Sequence, residues 1–277
     1  DEVTVMGGVI NLSSDRETPI AVSKITAHKI ESKGAFFDLI ETMRTTPGIQ
    51  VNRGGGFGDG NMYLRGFDHT NTAFLINGQP INGVEDGKMY WSNWSGMIDV
   101  AEEIEIQRGL GSSNLAISSV GGTVNIITKA VDQRAGGFVK TVSGYNNYLK
   151  TSAYLSTGLM ENGFAASVLF GHWQGDGYHE SSIGQGQTYF FSLGYKPNDN
   201  HILNLLLTGA PQWHGVRGDA KLSTFLATDN SQVRTCNRKG IYRGDIYPGG
   251  RNFYHKPLYN LSSVSYTHLT LPTICSV

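Results

Sequence analysis

The residue types best suited to recognising a ligand are concentrated in two short segments. Residues 53–59 read RGGGFGD, and glycine, which has no Cβ, lets the backbone approach a ligand closely. Residues 90–94 read YWSNW, which combines aromatic rings for stacking with Asn and Ser for hydrogen bonding. That mixture suits a sugar or a chelate. Simpler interpretations remain open, because the glycines could serve tight turns and the two tryptophans could pack in a core.

Patterns typical of enzymes and metal sites are missing from the sequence. The eight histidines show no His-Glu-x-x-His spacing, no Gly-x-Ser-x-Gly elbow occurs, and no pair of carboxylates stands out. The glycine run is not followed by Gly-Lys-Ser/Thr, so it is not a phosphate loop. Cys236 and Cys275 lack ligand spacing and can form at most one disulfide. We therefore expect no catalytic residues, no bound metal and no cofactor.

Composition favours a β-rich protein. Glycine accounts for 36 of 277 residues and charged residues for 16%, against typical shares of about 7% and about 25%. The longest apolar runs fall short of the ~20 residues that a membrane-spanning helix needs, whereas a spanning β-strand needs only ~9–11. A membrane role is therefore compatible only with a β-barrel.

The charge of the chain gives no sign of a nucleic-acid partner. Residues 1–130 carry 10 Lys and Arg against 15 Asp and Glu, and residues 131–277 carry 12 against 8. The two parts are thus net −5 and net +4, which agrees with the overall charge of −1. Neither part is basic enough to suggest nucleic-acid binding.

The first half of the sequence predicts one clear helix among short strands. Phe36, Leu39, Ile40 and Met43 are spaced as one helical face, and Pro47-Gly48 ends the pattern. Thr26 is a candidate cap for a shorter helix before it. Strands are predicted at residues 49–52, 62–65, 73–76, 104–108 and 123–128. The Asn77-Gly78 pair predicts a tight hairpin turn.

From about residue 136 the pattern changes to longer strands with alternating character. One face of each strand is apolar and the other is mixed, as in residues 164–170, 189–195 and 203–207. Short and long connections alternate between these strands, which is typical of a transmembrane β-barrel. A soluble β-sandwich with one buried face fits the alternation equally well.

Six segments, in their order and spacing, resemble the plug domain of TonB-dependent outer-membrane receptors. They are TPIAV at 18–22, PGIQV at 47–51, YLRGF at 63–67, LINGQP at 75–80, IEIQRG at 104–109 and GGTVNIITK at 121–129. The strands from about residue 136 resemble the first strands of the enclosing barrel. The resemblance implies an α+β plug domain followed by antiparallel transmembrane β-barrel strands, an incomplete part of a barrel of about 22 strands. The implied division is an N-terminal arm at 1–17, a plug domain at 18–130 and a partial β-barrel at 131–263.

The resemblance also implies roles for particular residues. The two Arg-Gly motifs assign Arg65 and Arg108 to a lock between the plug and carboxylates on the inner barrel wall, where the planar guanidinium suits a carboxylate partner. Ligand contacts are expected from plug loops that carry Arg53, Phe57, Asp59, Tyr90, Trp91, Asn93 and Trp94.

The N-terminal arm is expected to bind a partner. Glu2, Val3, Thr4, Val5 and Met6 form a candidate TonB box, the short segment gripped by a TonB-type periplasmic coupling protein. An extended segment of this kind can add itself to the edge of another protein's sheet. The other expected partners are the nutrient ligand, outer-membrane lipid and, as a further candidate, a surface lipoprotein.

The length of the chain after the plug predicts a truncated barrel. About 140 residues provide six to eight strands of ~10 residues, too few to close a 22-stranded barrel. An open sheet in lipid would leave edge backbone groups unpaired, so we expect the sequence to be a fragment. Residues 264–277, with Pro272 in their middle, are predicted to be a non-native tail.

The expected function is that of an energised receptor in the bacterial outer membrane that imports a large scarce nutrient such as a siderophore, cobalamin, a glycan or a peptide. The alternatives are a passive porin or surface adhesin and a soluble carbohydrate-active β-protein.

Overall fold

The protein is described by a computed structural model that covers residues 21–32, 39–53, 57, 60–109, 119–176, 183–199, 201–214, 252–254 and 258–265. The arm with Glu2 to Met6, Phe36, Asp59 and nearly all of the predicted tail lie outside the described residues. Of Arg53 only the backbone is described. Within the described ranges, no helix has the length and apolar character needed to cross a membrane.

Within the described residues, the plug contains three short α-helices and seven strands. The helices are α1 (Ala27–Ser32), α2 (Leu39–Met43) and α3 (Met97–Val100). The strands are β1 (Ala21–Thr26), β2 (Ile49–Arg53), β3 (Gly60–Leu64), β4 (Thr72–Ile76), β5 (Gln79–Pro80), β6 (Glu103–Arg108) and β7 (Gly122–Ile127). Five strands form one sheet in the order β1-β6-β7-β4-β5, and β2 pairs with β3 in a separate hairpin. All neighbours are antiparallel except β4 and β7, which are parallel.

The predicted elements of the plug are present in the structure. All five predicted strands form, with ends that differ by one or two residues, and α1 begins directly after Thr26. Leu39, Ile40 and Met43 are buried on α2, which confirms the helical face for the described part of that segment. They join a core that includes Phe74, Ile76, Ile104 and Val124.

The turn at Asn77-Gly78 forms as predicted. Asn77 has φ +49° and Gly78 has φ +86°, which a type I′ hairpin turn requires at its two central positions. The Asn77 side chain accepts a hydrogen bond from the Thr128 amide at 2.7 Å and donates one to its hydroxyl at 3.0 Å. The turn therefore connects β4 and β5 and also fixes the end of β7.

The second region is an antiparallel sheet that we call the wall. Its strands are β8 (Gly136–Ser143), β9 (Leu149–Ser156), β10 (Phe164–Gly175), β11 (Gly184–Asn198), β12 (His201–Gly209), β13 (Gln212–His214), β14 (Asn252–Tyr254) and β15 (Leu258–Ser265). Each of β8 to β10 pairs with the next strand, β11 pairs with both β12 and β13, and these pair with β15 and β14. Because β15 ends at Ser265, strand pairing continues two residues past the predicted barrel boundary at 263.

The two faces of the wall differ in chemistry and in exposure. Along β10 the apolar series that begins with Phe164 and ends with Phe170 is exposed or half-buried, while the residues between them are buried. The buried face includes polar side chains, among them Ser167, Ser192 and Thr208. A soluble sandwich would bury the apolar face instead. The arrangement is therefore that of a barrel wall with its apolar side outward.

Candidate functional site

A plug loop lies against one end of the wall through Phe57. Its ring centroid lies 4.7 Å from that of Trp173 and 6.2 Å from that of Tyr148. A Cβ added at Gly175 or Gly184 would approach the Phe57 ring to 3.0 or 3.1 Å, so the glycines at the ends of β10 and β11 leave room for it. Phe57, predicted to face a ligand, thus lies beside the connection at 144–148 and the adjoining ends of β10 and β11.

Tyr90 and Asn93 are the residues of the second segment that are not fully buried. Tyr90 is exposed, and its hydroxyl donates to the Asp86 carboxylate at 2.6 Å. This hydrogen bond raises the pKa of Tyr90 and lowers the pKa of Asp86. Asn93 is half-buried, and its buried side-chain oxygen has no hydrogen-bond partner in the part of the chain that the structure describes.

Trp91 and Trp94 lie in the plug core, which corrects the expectation that they contact a ligand. They are 4% and 3% exposed, and the Trp91 ring packs edge-on against Phe74 with centroids 5.1 Å apart. The short 3-10 turn at 91–94 directs both indoles inward. The simpler of the two sequence interpretations therefore holds for these residues, because burying two large rings is strongly favourable.

Arg65 and Arg108 are brought together at the turn formed by Pro47 and Gly48. Arg108 Nη1 donates to the Pro47 carbonyl at 3.3 Å, and the Arg65 amide donates to the Gly48 carbonyl at 2.7 Å. The buried Nε of Arg108 has no hydrogen-bond partner among the described residues. The stems of both side chains thus pass the same turn, with Arg65 Cγ and Arg108 Cδ 3.6 and 3.7 Å from a Cβ added at Gly48, and their guanidinium donors are of the kind that binds carboxylates.

Arg65 also has an unusual backbone. It has φ +55° and is followed by Gly66 at φ +85°, so the pair forms the same kind of turn as Asn77-Gly78. A bulky residue in this region is strained, and such outliers concentrate at functional sites. The Arg-Gly pair was identified from the sequence as a motif, but its backbone strain was not.

The structure reveals a cluster between plug and wall that the sequence analysis missed. Asp99, on α3, lies 2.8 Å from Lys140 Nζ on β8 and 2.6 Å from Lys150 Nζ on β9. The Ser152 hydroxyl donates to the same carboxylate at 3.2 Å. The only signal in the sequence was one lysine in each of two neighbouring strands that otherwise carry little charge. This signal does not identify the partner of the lysines.

Further polar contacts join the plug to the wall. The Thr188 hydroxyl donates to the Ser95 carbonyl at 3.1 Å. The Tyr154 hydroxyl donates at 2.9 Å to Gln133, in the link between plug and wall, and the Gln133 amide donates to the Val100 carbonyl of the plug at 3.1 Å. Gly96 has φ +87°, and a Cβ there would collide with the Thr188 side chain. The plug thus contacts the inner face of several neighbouring strands.

Two further features of the described residues give weaker evidence for a functional site. A cavity of about 320 Å³ lies between the turns that precede β10 and follow β11, at the opposite end of the wall from Phe57. Burial lowers the pKa of His69, despite the neighbouring Asp68. The described residues contain no group of three or more His, Cys, Asp or Glu side chains placed to hold a metal ion.

Comparison with known proteins identifies the plug directly. Residues 14–123 match the family model of the TonB-dependent Receptor Plug Domain. The vitamin B12 transporter BtuB of Vibrio vulnificus is 25% identical over 194 residues, which cover 68% of this chain and 31% of the transporter. The ferric enterobactin receptor PirA of Pseudomonas aeruginosa is 33% identical over 129 residues, which cover 42% of this chain and 17% of the receptor. The chain therefore spans a third or less of these relatives, which are transport and receptor proteins rather than enzymes.

Solved structures share the arrangement of plug and wall. The unliganded ferric citrate transporter FecA superposes with a TM-score of 0.58 at 22% identity, covering 75% of this chain and 33% of that one. The siderophore receptor PirA from Acinetobacter baumannii gives a TM-score of 0.58 at 20% identity, covering 76% and 34%. Residues 14–123 therefore match the plug domain of TonB-dependent receptors, and the plug and wall together have the fold of the solved outer-membrane receptors.

Proposed function

We propose that this protein is an energised receptor that imports a large scarce nutrient, such as a siderophore, cobalamin, a glycan or a peptide, across the outer membrane. The observation that carries the proposal is the seating of the plug on the inner face of the wall, with Phe57 at the end of β10 and β11. A plug held there obstructs passive flow, so import requires the plug to rearrange. A TonB-type periplasmic coupling protein supplies the energy.

A ferric chelate is the first ligand class to test. PirA of P. aeruginosa, a ferric enterobactin receptor, is 33% identical to this chain over its matched residues, against 25% for the vitamin B12 transporter. We assign ligand contact to Phe57, Tyr90 and Asn93, together with Arg53 and Asp59. Trp91 and Trp94 support this surface from beneath, since both pack in the core.

The coupling protein is proposed to bind the arm at residues 2–6. This assignment is supported by the position of β1, which follows the arm in the sequence and forms the edge of the plug sheet. A pull on the arm would therefore reach the plug at β1, which pairs with β6 alone among the described strands. A surface lipoprotein remains a further candidate partner on the ligand side.

Arg65 and Arg108 are proposed to bind carboxylates of the barrel that lie on strands other than those described. Supporting this role are the buried, unpartnered Nε of Arg108 among the described residues and the strained backbone of Arg65. Asparagine would suit this turn better than arginine. The strained backbone of Arg65 therefore indicates that its guanidinium has a role that an asparagine side chain cannot perform.

The test is an uptake assay in cells that carry the full-length receptor. Radiolabelled ferric enterobactin and radiolabelled cyanocobalamin are supplied separately, with the coupling protein present or deleted, and with residues 1–6 present or deleted. We expect one probe to bind in all cases and to enter the cell only when both the coupling protein and the arm are present. Entry that persists without either would overturn energised import.

The same assay separates the alternatives. A passive porin would admit the probe without the coupling protein, and an adhesin would admit neither probe under any condition. Phe57 and Ser95 of the plug contact the inner side of the wall, which argues against an open pore. Against the soluble carbohydrate-active alternative stand the match of residues 14–123 to a receptor plug domain and the outward apolar face of the wall.

A further inference from the structure

Asp99 is a buried carboxylate that reaches from the plug to two strands of the wall. Its side chain is 1% exposed, whereas Lys150 is 13% and Lys140 33% exposed. Both carboxylate oxygens are engaged, one by Lys140 and the other by Lys150 and Ser152. The group therefore has the complete set of partners that a buried charge requires.

The three charges form an unequal cluster. One carboxylate faces two ammonium groups, so its removal would leave two neighbouring cations at a closed interface. Breaking a buried ion pair by deleting one partner is much more costly than replacing all partners with apolar groups. The cluster should therefore control whether plug and wall stay in contact, because removing the carboxylate leaves two neighbouring cations there and removing both cations leaves a buried carboxylate without a counter-ion.

The residues around the cluster lie where the first hairpin of the wall, formed by β8 and β9, faces the plug. Lys140 and Ser152 are paired across the β8–β9 hairpin, and Phe138 pairs with Tyr154 farther along it. The Tyr154 hydroxyl donates to Gln133, whose amide donates to the Val100 carbonyl at 3.1 Å. Polar contacts thus connect α3 to the first hairpin of the wall, directly at Asp99 and through Gln133, which lies just before β8.

We propose that Asp99, Lys140 and Lys150 form a latch that holds the plug against the first hairpin of the wall and closes the passage between them to solutes. Its polarity is opposite to that of the arginine lock, since here the plug supplies the carboxylate and the wall supplies the cations. The latch acts whatever nutrient is imported and whether or not the receptor is energised.

The latch is tested by the current that purified full-length receptor passes in a planar lipid bilayer bathed in potassium chloride. Asp99→Asn keeps the shape of the side chain but removes its charge, and we expect it to raise the leak current about tenfold or more. The double variant Lys140→Met/Lys150→Met leaves the carboxylate without cations, and we expect a comparable rise. The triple variant Asp99→Asn/Lys140→Met/Lys150→Met has no charge in the cluster and should return close to the wild-type leak.

The control is Lys88→Met, which removes an exposed lysine whose pairing with Asp86 lies within one plug loop; it should leave the leak unchanged. A wild-type leak in both unbalanced variants would overturn the latch. So would a triple variant that leaks as much as Asp99→Asn, because shape rather than charge would then hold the interface. If Asp99→Asn fails to fold, the double and triple variants make the same comparison. No ligand or coupling protein is present, so the outcome is independent of the proposed import function.

Discussion

The plug and the wall bury their side chains according to different rules. In the plug, every residue of β4 and of β7 is buried, and their apolar side chains meet the helices and neighbouring strands. In the wall, β10 alternates, with Phe170 and other apolar residues outward and Ser167 and Leu169 inward. In the plug, the apolar side chains of these strands therefore pack in the interior. In the wall, an apolar series lines the outer face, while the inner face mixes polar residues with apolar ones such as Leu169.

The largest effect is expected from the plug core. Phe74 is fully buried against Trp91, and Phe74→Ala should lower the free energy of unfolding of the plug by about 3–5 kcal/mol. Chemical denaturation in detergent and in lipid bilayers should give the same loss, because this side chain never meets lipid. A loss that depends on the medium would contradict the distinction between the two regions. Val84→Ala, at a fully exposed position, is the control.

A charged side chain on the outer face of the wall should destabilise the receptor. Phe170 is 65% exposed, and Phe170→Arg should destabilise the receptor in bilayers by about 2–4 kcal/mol if the residue lies near the membrane midplane. Val84→Arg places the same charge on an exposed apolar residue of the plug and should change stability by no more than about 0.5 kcal/mol. Equal effects of the two substitutions would show that the β10 face is not in contact with lipid.

Alanine substitution at two glycines with similar backbone angles distinguishes the cost of backbone strain from the cost of steric crowding. Gly122 in β7 has φ +139° and Gly136 in β8 has φ +145°. A Cβ at Gly122 would collide with the Gln107 carbonyl, whereas none of the surrounding atoms lies within 4 Å of a Cβ at Gly136. Gly136→Ala should cost about 1–2 kcal/mol from strain, and Gly122→Ala about 1–3 kcal/mol more from overpacking. Thermal melts of both variants check the difference.

The contact between the two regions should weaken in acid. Burial alone would raise the pKa of Asp99, but Lys150 and Lys140 outweigh it and hold the pKa below its usual value. A depressed carboxyl pKa adds stability that is complete above the unfolded value of about 3.9 and is lost as pH falls through the folded pKa. Plug stability measured from pH 7 downward should fall below about pH 4, and Asp99→Asn should remove that part of the pH dependence. An unchanged profile in Asp99→Asn would contradict this assignment.

The smallest effect is expected at Arg65. Asparagine tolerates a positive φ better than arginine, so Arg65→Asn should stabilise the isolated turn and raise plug stability by about 0.5–1 kcal/mol. The same change should impair uptake if Arg65 binds a barrel carboxylate, which the ligand uptake assay measures. If Arg65→Asn instead lowers the free energy of unfolding, the Arg65 side chain stabilises the plug through packing within it.

Local features of this fold were predictable from sequence. The predicted strand at 104–108 and the observed β6 differ by one residue, because a short apolar run bounded by Gly and polar residues has few alternatives. Asn77-Gly78 predicted its turn through the backbone angles that only such residues adopt easily. The parallel pairing of β4 with β7 was not predictable, since it joins strands some fifty residues apart and depends on the packing of everything between them.

The candidate site was only partly predictable for a related reason. The composition of residues 90–94 identified chemistry suited to a ligand, but composition does not say which side of a 3-10 turn faces the core, and Trp91 and Trp94 face inward. Asp99 carried no signal in its own segment because its partners lie 41 and 51 residues later, on a different sheet.

By itself, the sequence determined the order of the elements, the turn at Asn77-Gly78, the alternation of the wall strands and the resemblance to the receptor plug. These properties depend on backbone preference and on the spacing of apolar residues along a short stretch of chain. Only the tertiary structure decided which face of the wall is outward, that two arginines meet at Pro47-Gly48, and that Asp99 bridges the plug to Lys140 and Lys150. Such contacts join distant segments, and their free energy depends on burial, which exists only once the chain has folded.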